Sequence, residues 1–356
     1  MALSETSDPM AAHKRQASSW SLTRIPAAYW VVGAFLLLMP AFASDFFLYQ
    51  IFGWSMILGM VALSLMFLGG YGGMVSLGQM AVAGVAAYMT AIFGSSAIVA
   101  ISLNWPWWLA APVAIFVATV AGTVMGALAV RTAGIYTIMI TLAIATAFFY
   151  FVRQNYSIFN GFSGFNDVHA PHAFGLDWSR PIAFYYLVLG CSALAFLLVL
   201  YVSRSPFGLA LQGVRDNPRR MAALGFNATA HRIAAYAFAG FIAGIAGVLL
   251  VWQNGQISPG AISTGKAIDV LVIAVVGGLR HPIGPFIGAL IFVLLRTFSL
   301  DVLVAIGLDG QRFQLLIGLG FLAIVFWSPD GVLGLWQRWI KSGGGRDRLT
   351  GRVEDR

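Results

Sequence analysis

FFLYQIFGWSMILGMVALSLMFLGGYGGMVSLGQMAVAGVAAYMTAIFG, residues 46–94, decides the fold. The stretch contains no lysine, arginine, aspartate or glutamate. Its two apolar runs each approach the roughly 20 residues that an α-helix needs to cross a hydrocarbon core. Between them, Gly69–Gln79 supplies five glycines together with Ser76 and Gln79. Such a break frees backbone N–H and C=O groups, which at membrane depth must face protein or a water-filled cavity. The pattern predicts a membrane helix, a Gly-rich interruption and a second helix, with Ser76 and Gln79 on a candidate translocation path.

The same apolar density continues outward along the chain. Of 356 residues, 59% are hydrophobic and 10% charged, against about 45–50% and about 25% in soluble domains. A soluble fold is excluded, because it has no place to hide that surface. Apolar runs punctuated by charge, Gly and Pro give ten candidate spans: 27–44, 46–68, 74–94, 107–130, 134–152, 182–202, 233–253, 264–279, 283–299 and 312–327. The predicted fold is all-α, a polytopic transmembrane helical bundle of about ten spans. A range of about eight to eleven stays open, since the eighth run is short for a full crossing and the first two are joined by almost no loop. A re-entrant pair within 264–299 is one alternative. Ala41-Phe42-Ala43 also resembles a signal-peptidase site, but the apolar run starts only at residue 27, so retention as a first helix is the expectation.

Charge gives the bundle a direction. With the N-terminus inside, sixteen of the 21 Lys and Arg residues fall on the inner side and four on the outer, the asymmetry expected of cytoplasmic segments. Both termini are therefore placed in the cytoplasm, with a polar tail at 1–26 and a basic tail at 328–356. An outer loop is expected at 153–181 and a cytoplasmic one at 203–232. The net charge of +8 and pI near 9.9 are explained by this orientation, and no nucleic-acid motif accompanies them. The single cysteine, Cys191, rules out intrachain disulfides.

Several motifs are weighed and set aside. Gly260-Ala-Ile-Ser-Thr-Gly265-Lys266-Ala267 nearly spells a phosphate-binding loop, but Ala267 lacks the magnesium-binding hydroxyl and no strand precedes it. His169-Ala-Pro-His172, with Asp167 and Asp177 nearby, lacks the helix that sets metal-ligand spacing, so no metal or other cofactor is expected. The Asn-x-Ser/Thr matches at Asn155 and Asn227 read as chance. No nucleophile-base constellation appears, so the chain is not expected to be an enzyme. Gly122-x-x-x-Gly126, Gly240-x-x-x-Gly244 with Gly247, and Gly284-x-x-x-Gly288 put small residues on one helix face, where helices pack closely. Thr137 and Thr141 are i, i+4 neighbours that join the candidate path, or else simply bond back to their own helix. The only glutamates, Glu5 and Glu354, lie in the tails, and Asp269 is the acid nearest a span interior. Proton- or ion-driven carriers keep a carboxylate in the membrane, so the energy source is expected in a partner.

In combination, "GYGGMVSLGQMAVAGVAAYMTA" (70–91), "RTAGIYTIMITLA" (131–143), "VRDNPRRMAALGFNATAHRIAAYAFAGFIAGIAGVL" (214–249), "ISPGAIS" (257–263), "VVGGLRHPIGPFIGAL" (275–290) and "FWSPDGVLG" (326–334) resemble the permease family of high-affinity branched-chain amino acid ABC importers. Relatives in that family also carry urea and short amides. The resemblance implies a permease domain at 27–327 in the bacterial inner membrane, working by alternating access. The implied partners are a homologous second permease, two cytoplasmic ATPases, a periplasmic solute-binding protein and the lipid bilayer, without nucleic acid. It also makes 203–232 the ATPase-coupling loop, with Arg215, Asp216, Arg219, Arg220, Ala222, Ala223 and Gly225 as candidate coupling residues. Asn217-Pro218 and Gly225 bracket a short helix there. A solvated loop that only sets orientation is the plainer reading of its charges. Ser64, where the family commonly has Asn, and "NGFSG" at 160–164 depart from the pattern. The rival from another class is a self-sufficient channel or an ion-coupled secondary transporter.

Overall fold

The computed structural model describes residues 33, 35–98, 100–132, 134–173, 176–305 and 318. The chain divides into two compact units, 1–42 and 43–356. In the first, the described residues form a helical turn at 35–38 and a 3₁₀ turn, Met39–Ala41, with Pro40 as its second residue. Most of the expected span at 27–44, nearly all of that at 312–327, and both tails lie outside the described residues.

In the second unit, α1 (Phe47–Tyr71) is α-helical from Trp54 to Met66 and flanked by wider π turns at Phe47–Gly53 and Phe67–Tyr71. Next come α2 (Gln79–Phe93), α3 (Trp107–Ala129), α4 (Ile135–Gln154), the single turn α5 (Tyr156–Phe159) and α6 (Pro181–Arg204). Beyond these are α7 (Pro206–Asp216), α8 (Pro218–Ala223), α9 (Ala228–Asn254), α10 (Thr264–Gly277) and α11 (Gly284–Ala305). Local chemistry sets many of the ends. Asn155, Asn217 and Asn227 each accept a backbone N–H at 3.0 Å as N-caps of α5, α8 and α9, the ordinary helix-start bond. Proline opens α6, α7 and α8, where its missing N–H costs nothing. Gly255 closes α9 in the left-handed region at φ +65°, as helix-ending glycines do.

Five described helices, α1, α3, α4, α6 and α9, are long and apolar enough to cross a membrane, and two shorter apolar stretches lie at Gln79–Phe93 and Gly284–Phe298. Large apolar side chains stay exposed on their outer faces, with Phe116 at 68%, Val124 at 56% and Leu194 at 53%. Water would penalise such a surface and lipid does not. The protein is a polytopic helical membrane protein. Against the expected spans, the third starts at Gln79 instead of residue 74, because 72–78 leave the helical path. The eighth is the fourteen-residue α10, about 21 Å at 1.5 Å per residue, and too short to cross alone. Helix α7 was not anticipated within 203–232.

Two triplets interlock to make the core. In each, a long helix is followed by an interruption, a short helix and another long helix: α1–α2–α3 and α9–α10–α11, the second interruption holding a 3₁₀ turn, Pro259–Ile262. Helix α1 packs on α10 and α11, α9 packs on α2 and α3, and α1 and α9 pack on each other. Small residues permit the approach. A Cβ added at Gly122 would lie 3.0 Å from Gly240 Cα, one at Gly244 would lie 3.2 Å from Ala118 Cβ, and Gly126 accommodates the Tyr236 ring. Gly59 of α1 faces Phe286 of α11. Residues 55–66 of α1 are buried throughout, so α1 is a core helix and not a lipid-facing one.

The 153–181 connection is folded over the far end of α2. Strand β1 (Phe165–Asn166) pairs antiparallel with β4 (Gln256–Ile257), and β2 (His172–Ala173) with β3 (Leu176–Asp177). Phe159 and Phe165 meet the Tyr88 ring edge-on at 5.5 and 6.2 Å between centroids.

Candidate functional site: a buried polar break and the helix pair that touches it

The break between α1 and α2 lies inside the bundle. Gly73, at φ +66°, turns the chain back so that Gln79 begins α2 beside Ser64, nearly two turns before the end of α1. Ser64 Oγ donates to Val61 O at 2.6 Å and lies 3.2 Å from the Gln79 side-chain amide. The Leu77 N–H donates to Thr141 Oγ1 at 3.1 Å, and the Gly78 N–H to Ser76 Oγ at 3.3 Å. These bonds satisfy donors that leaving the helix set free. Gly78 has no room for a side chain, since Met125 and the Thr141 carbonyl occupy the space where a Cβ would stand.

Ser64, Ser76, Thr141 and Tyr236 are each fully buried and Gln79 is 1% exposed. Among the described residues, Gln79 Nε2 and the Tyr236 hydroxyl have no hydrogen-bond partner. The Tyr236 hydroxyl is directed at Ser76 without closing a bond to it. A buried polar group left unpaired costs about 1–3 kcal/mol, so a donor held open here is a feature to be explained by use. The cluster consists of neutral donors and acceptors.

The structure brings Ser76, Gln79 and Thr141 together. Thr137 lies one turn away and donates to Thr132 O at 3.2 Å, and Thr141 also donates to Ile138 O at 3.0 Å. Reading the sequence missed Ser64 and Tyr236. Each is a hydroxyl in an otherwise apolar run, the one signal that marks them.

The candidates from the 203–232 connection separate into two groups. Arg219, Arg220, Ala222, Ala223 and Gly225 are exposed on or just after α8. Gly225, at φ +88°, ends that turn. Met221 is held against Gly213 of α7. Arg215, at the end of α7, turns the other way: its Nη1 donates to Gly70 O at 2.5 Å and its Nε to Asp216 Oδ1 at 2.8 Å. The Arg215 stem covers Gly73, leaving no space for a Cβ. The α7–α8 pair is thus attached by one side chain to the break that carries Ser76 and Gln79.

The candidate packing glycines take two positions. Gly240 and Gly244 face α3, and Gly247 faces the Ala83 backbone of α2. Gly284 and Gly288 face Gly277 and Ile273, closing the α10–α11 hairpin. His169 Nε2 meets Asp167 Oδ1 at 2.7 Å in an exposed pair. No group of three His, Cys, Asp or Glu residues forms a metal set among the described residues.

Apolar helices packed around a buried polar, glycine-bounded break make up the described part of this membrane protein. Residues 47–325 match the family described as the branched-chain amino acid transport system permease component, and the chain belongs to that family. It is 24% identical to the high-affinity branched-chain amino acid transport system permease protein LivM of Salmonella typhimurium over 258 residues, covering 66% of this chain and 59% of that relative. It is 33% identical to the fructose import permease protein FrcC of Rhizobium meliloti over 141 residues, 38% of each chain. It is 29% identical to the autoinducer 2 import system permease protein LsrC of Escherichia coli over 148 residues, 39% of this chain and 43% of the relative. No solved structure matches.

Proposed function

We propose that this chain is a permease subunit of an ATP-driven importer in the bacterial inner membrane. Both termini are cytoplasmic, the tails are 1–26 and 328–356, and 27–327 form the permease domain. It pairs with a homologous second permease and two cytoplasmic ATPases, and receives solute from a periplasmic binding protein. The cargo is a branched-chain amino acid or a related small polar solute such as urea or an amide.

The attachment of α7–α8 to the break through Arg215 carries this reading. The exposed tip of α8 combines two cations, small residues and Leu224, 66% exposed, a surface suited to a groove on a partner. Movement of that tip reaches Gly70 and Gly73 directly, and with them the residues that line the path. ATP binding in the partners would move α8 and reshape the break, alternating its access.

Reversing charge at the tip tests the coupling role. In the reconstituted importer, Arg219→Glu with Arg220→Glu is expected to reduce ATP-driven uptake at least about tenfold, the cost of about 1.4 kcal/mol of lost docking. Solute-stimulated ATPase activity should fall with it, and the yield of folded permease should not. Undiminished transport and ATPase activity would sink the assignment.

Gln79→Met probes the break. Removing a buried amide whose Nε2 has no partner among the described residues, while conserving volume, is expected to raise the unfolding temperature in detergent and to slow uptake. A lower unfolding temperature with normal uptake would make Gln79 a structural residue.

A further inference from the structure

A second polar feature lies at the other end of α9 from the α7–α8 pair. Lys266 and Asp269 of α10 and Arg296 of α11 line a cavity of about 200 Å³ beside Asn254, the last residue of α9. Lys266 Nζ stands 3.3 Å from Asp269 Oδ2, with the two side chains 31% and 32% exposed. Such an i, i+3 pair, a third exposed, holds weakly and opens at little cost. Arg296 is half-buried and makes no ion pair or hydrogen bond among the described residues. Charges within apolar helices are costly, and by default they mark a solute pathway.

The apolar part of the lining includes Trp54 and Leu58 of α1, Met80 of α2 and Phe292 of α11. Met80 belongs to the first turn of α2, so the cavity wall reaches that turn. The volume falls below the roughly 300–1,000 Å³ of sites for drug-sized ligands and suits a small solute.

We propose that this cavity binds an α-amino acid as its zwitterion. The α-carboxylate sits on Arg296, whose planar fork matches a carboxylate bidentately, with Lys266 alongside. The α-ammonium sits on Asp269, and an aliphatic side chain lies against Trp54, Leu58 and Phe292. Uncharged solutes leave Arg296 unpaired, and simple carboxylates gain no ammonium to set against Asp269. The choice of solute rests on the importer reading. The permease then recognises cargo itself, in addition to any choice made by a binding protein.

The test uses the assembled importer in proteoliposomes. Cys191→Ser removes the only native cysteine of this chain, and Ala261→Cys places a reporter at the cavity wall. Modification of this subunit by a membrane-impermeant thiol reagent is followed with leucine, with leucinamide, which lacks the carboxylate, and with 4-methylpentanoate, which lacks the ammonium. Leucine at ten times its dissociation constant is expected to slow modification about tenfold, and the two analogues at equal concentration are not. Protection is expected to disappear in Asp269→Asn and, separately, in Arg296→Gln.

Equal protection by 4-methylpentanoate would overturn the role of Asp269, and equal protection by leucinamide that of Arg296. A complex that imports leucine with no protection at Ala261→Cys would overturn the cavity assignment and leave the importer reading standing. Import of an uncharged solute alone, with no effect of leucine at the cavity, would overturn the amino-acid cargo and this site together. Slowing by anionic lipid, independent of leucine, would make it a headgroup site and overturn the proposal.

Discussion

Arg215→Ala is expected to cut ATP-driven uptake at least about tenfold while leaving a folded permease that still assembles with its partners. A hydrogen bond from a charged donor contributes about 1.5–3 kcal/mol. The Arg215 side chain is 38% exposed, which places its bond to Gly70 O near the lower end of that range through solvent screening. A loss of about 1.5 kcal/mol shifts a two-state balance by roughly tenfold. The role is that of a positioning residue, so the informative measurement separates two quantities. ATP hydrolysis by the assembled importer should persist, while its stimulation by loaded binding protein and the uptake coupled to it should fall. Arg215→Lys keeps the charge and a shorter donor, and should recover part of the loss. Normal coupling in Arg215→Ala would remove this side chain from the transmission route.

Gly247→Ala is expected to be among the most damaging single-methyl additions in the core. A Cβ at this position collides with the carbonyl of Ala83, and the atoms next nearest are also Ala83 backbone. Overpacking in a filled core costs about 1–3 kcal/mol, and a backbone neighbour cannot swing aside, so the upper end applies. Folded yield and unfolding temperature in detergent both report it. Gly190→Ala in α6 is the matched control, since nothing lies within 4 Å of its added Cβ. That variant should be neutral or gain up to about 1 kcal/mol of helix propensity. Equal behaviour of the two would mean that α2 and α9 are not pressed together as described.

Single-segment properties were legible in the sequence. Run lengths located α3, α4, α6 and α9 to within about five residues, since each is a stretch of apolar side chains bounded by charge, Gly or Pro. Glycines and two polar residues in an apolar run marked the break, because free backbone groups there require a sheltered course. Asn217-Pro218 and Gly225 bracketed α8 through local cap chemistry. Properties that need two segments were not legible. Helix α7 carries Gly208 and Gly213 inside PFGLALQGVRD, which weakens a helical signal, and its packing on α6 and α9 supplies what propensity lacks. The direction of Arg215 depends on where Gly70 lies, 145 residues earlier. Ser64 and Tyr236 gain a role only once Gln79 and Ser76 are placed beside them. Lys266, Asp269 and Arg296 share one cavity only because α10 and α11 fold as a hairpin.

The interlocking of the two triplets constrains the order of events at the ribosome. Gln79 and Ser76 are made early, yet Tyr236 and the rest of α9, which bury the break, are translated more than a hundred residues later. At about 5–20 residues per second, the nascent N-terminal half waits roughly 10–30 s in the lipid with an open polar seam. During that interval the insertion machinery, and not the permease, must shelter the break. Synonymous changes that slow translation between α3 and α9 would therefore lower yield without altering one amino acid.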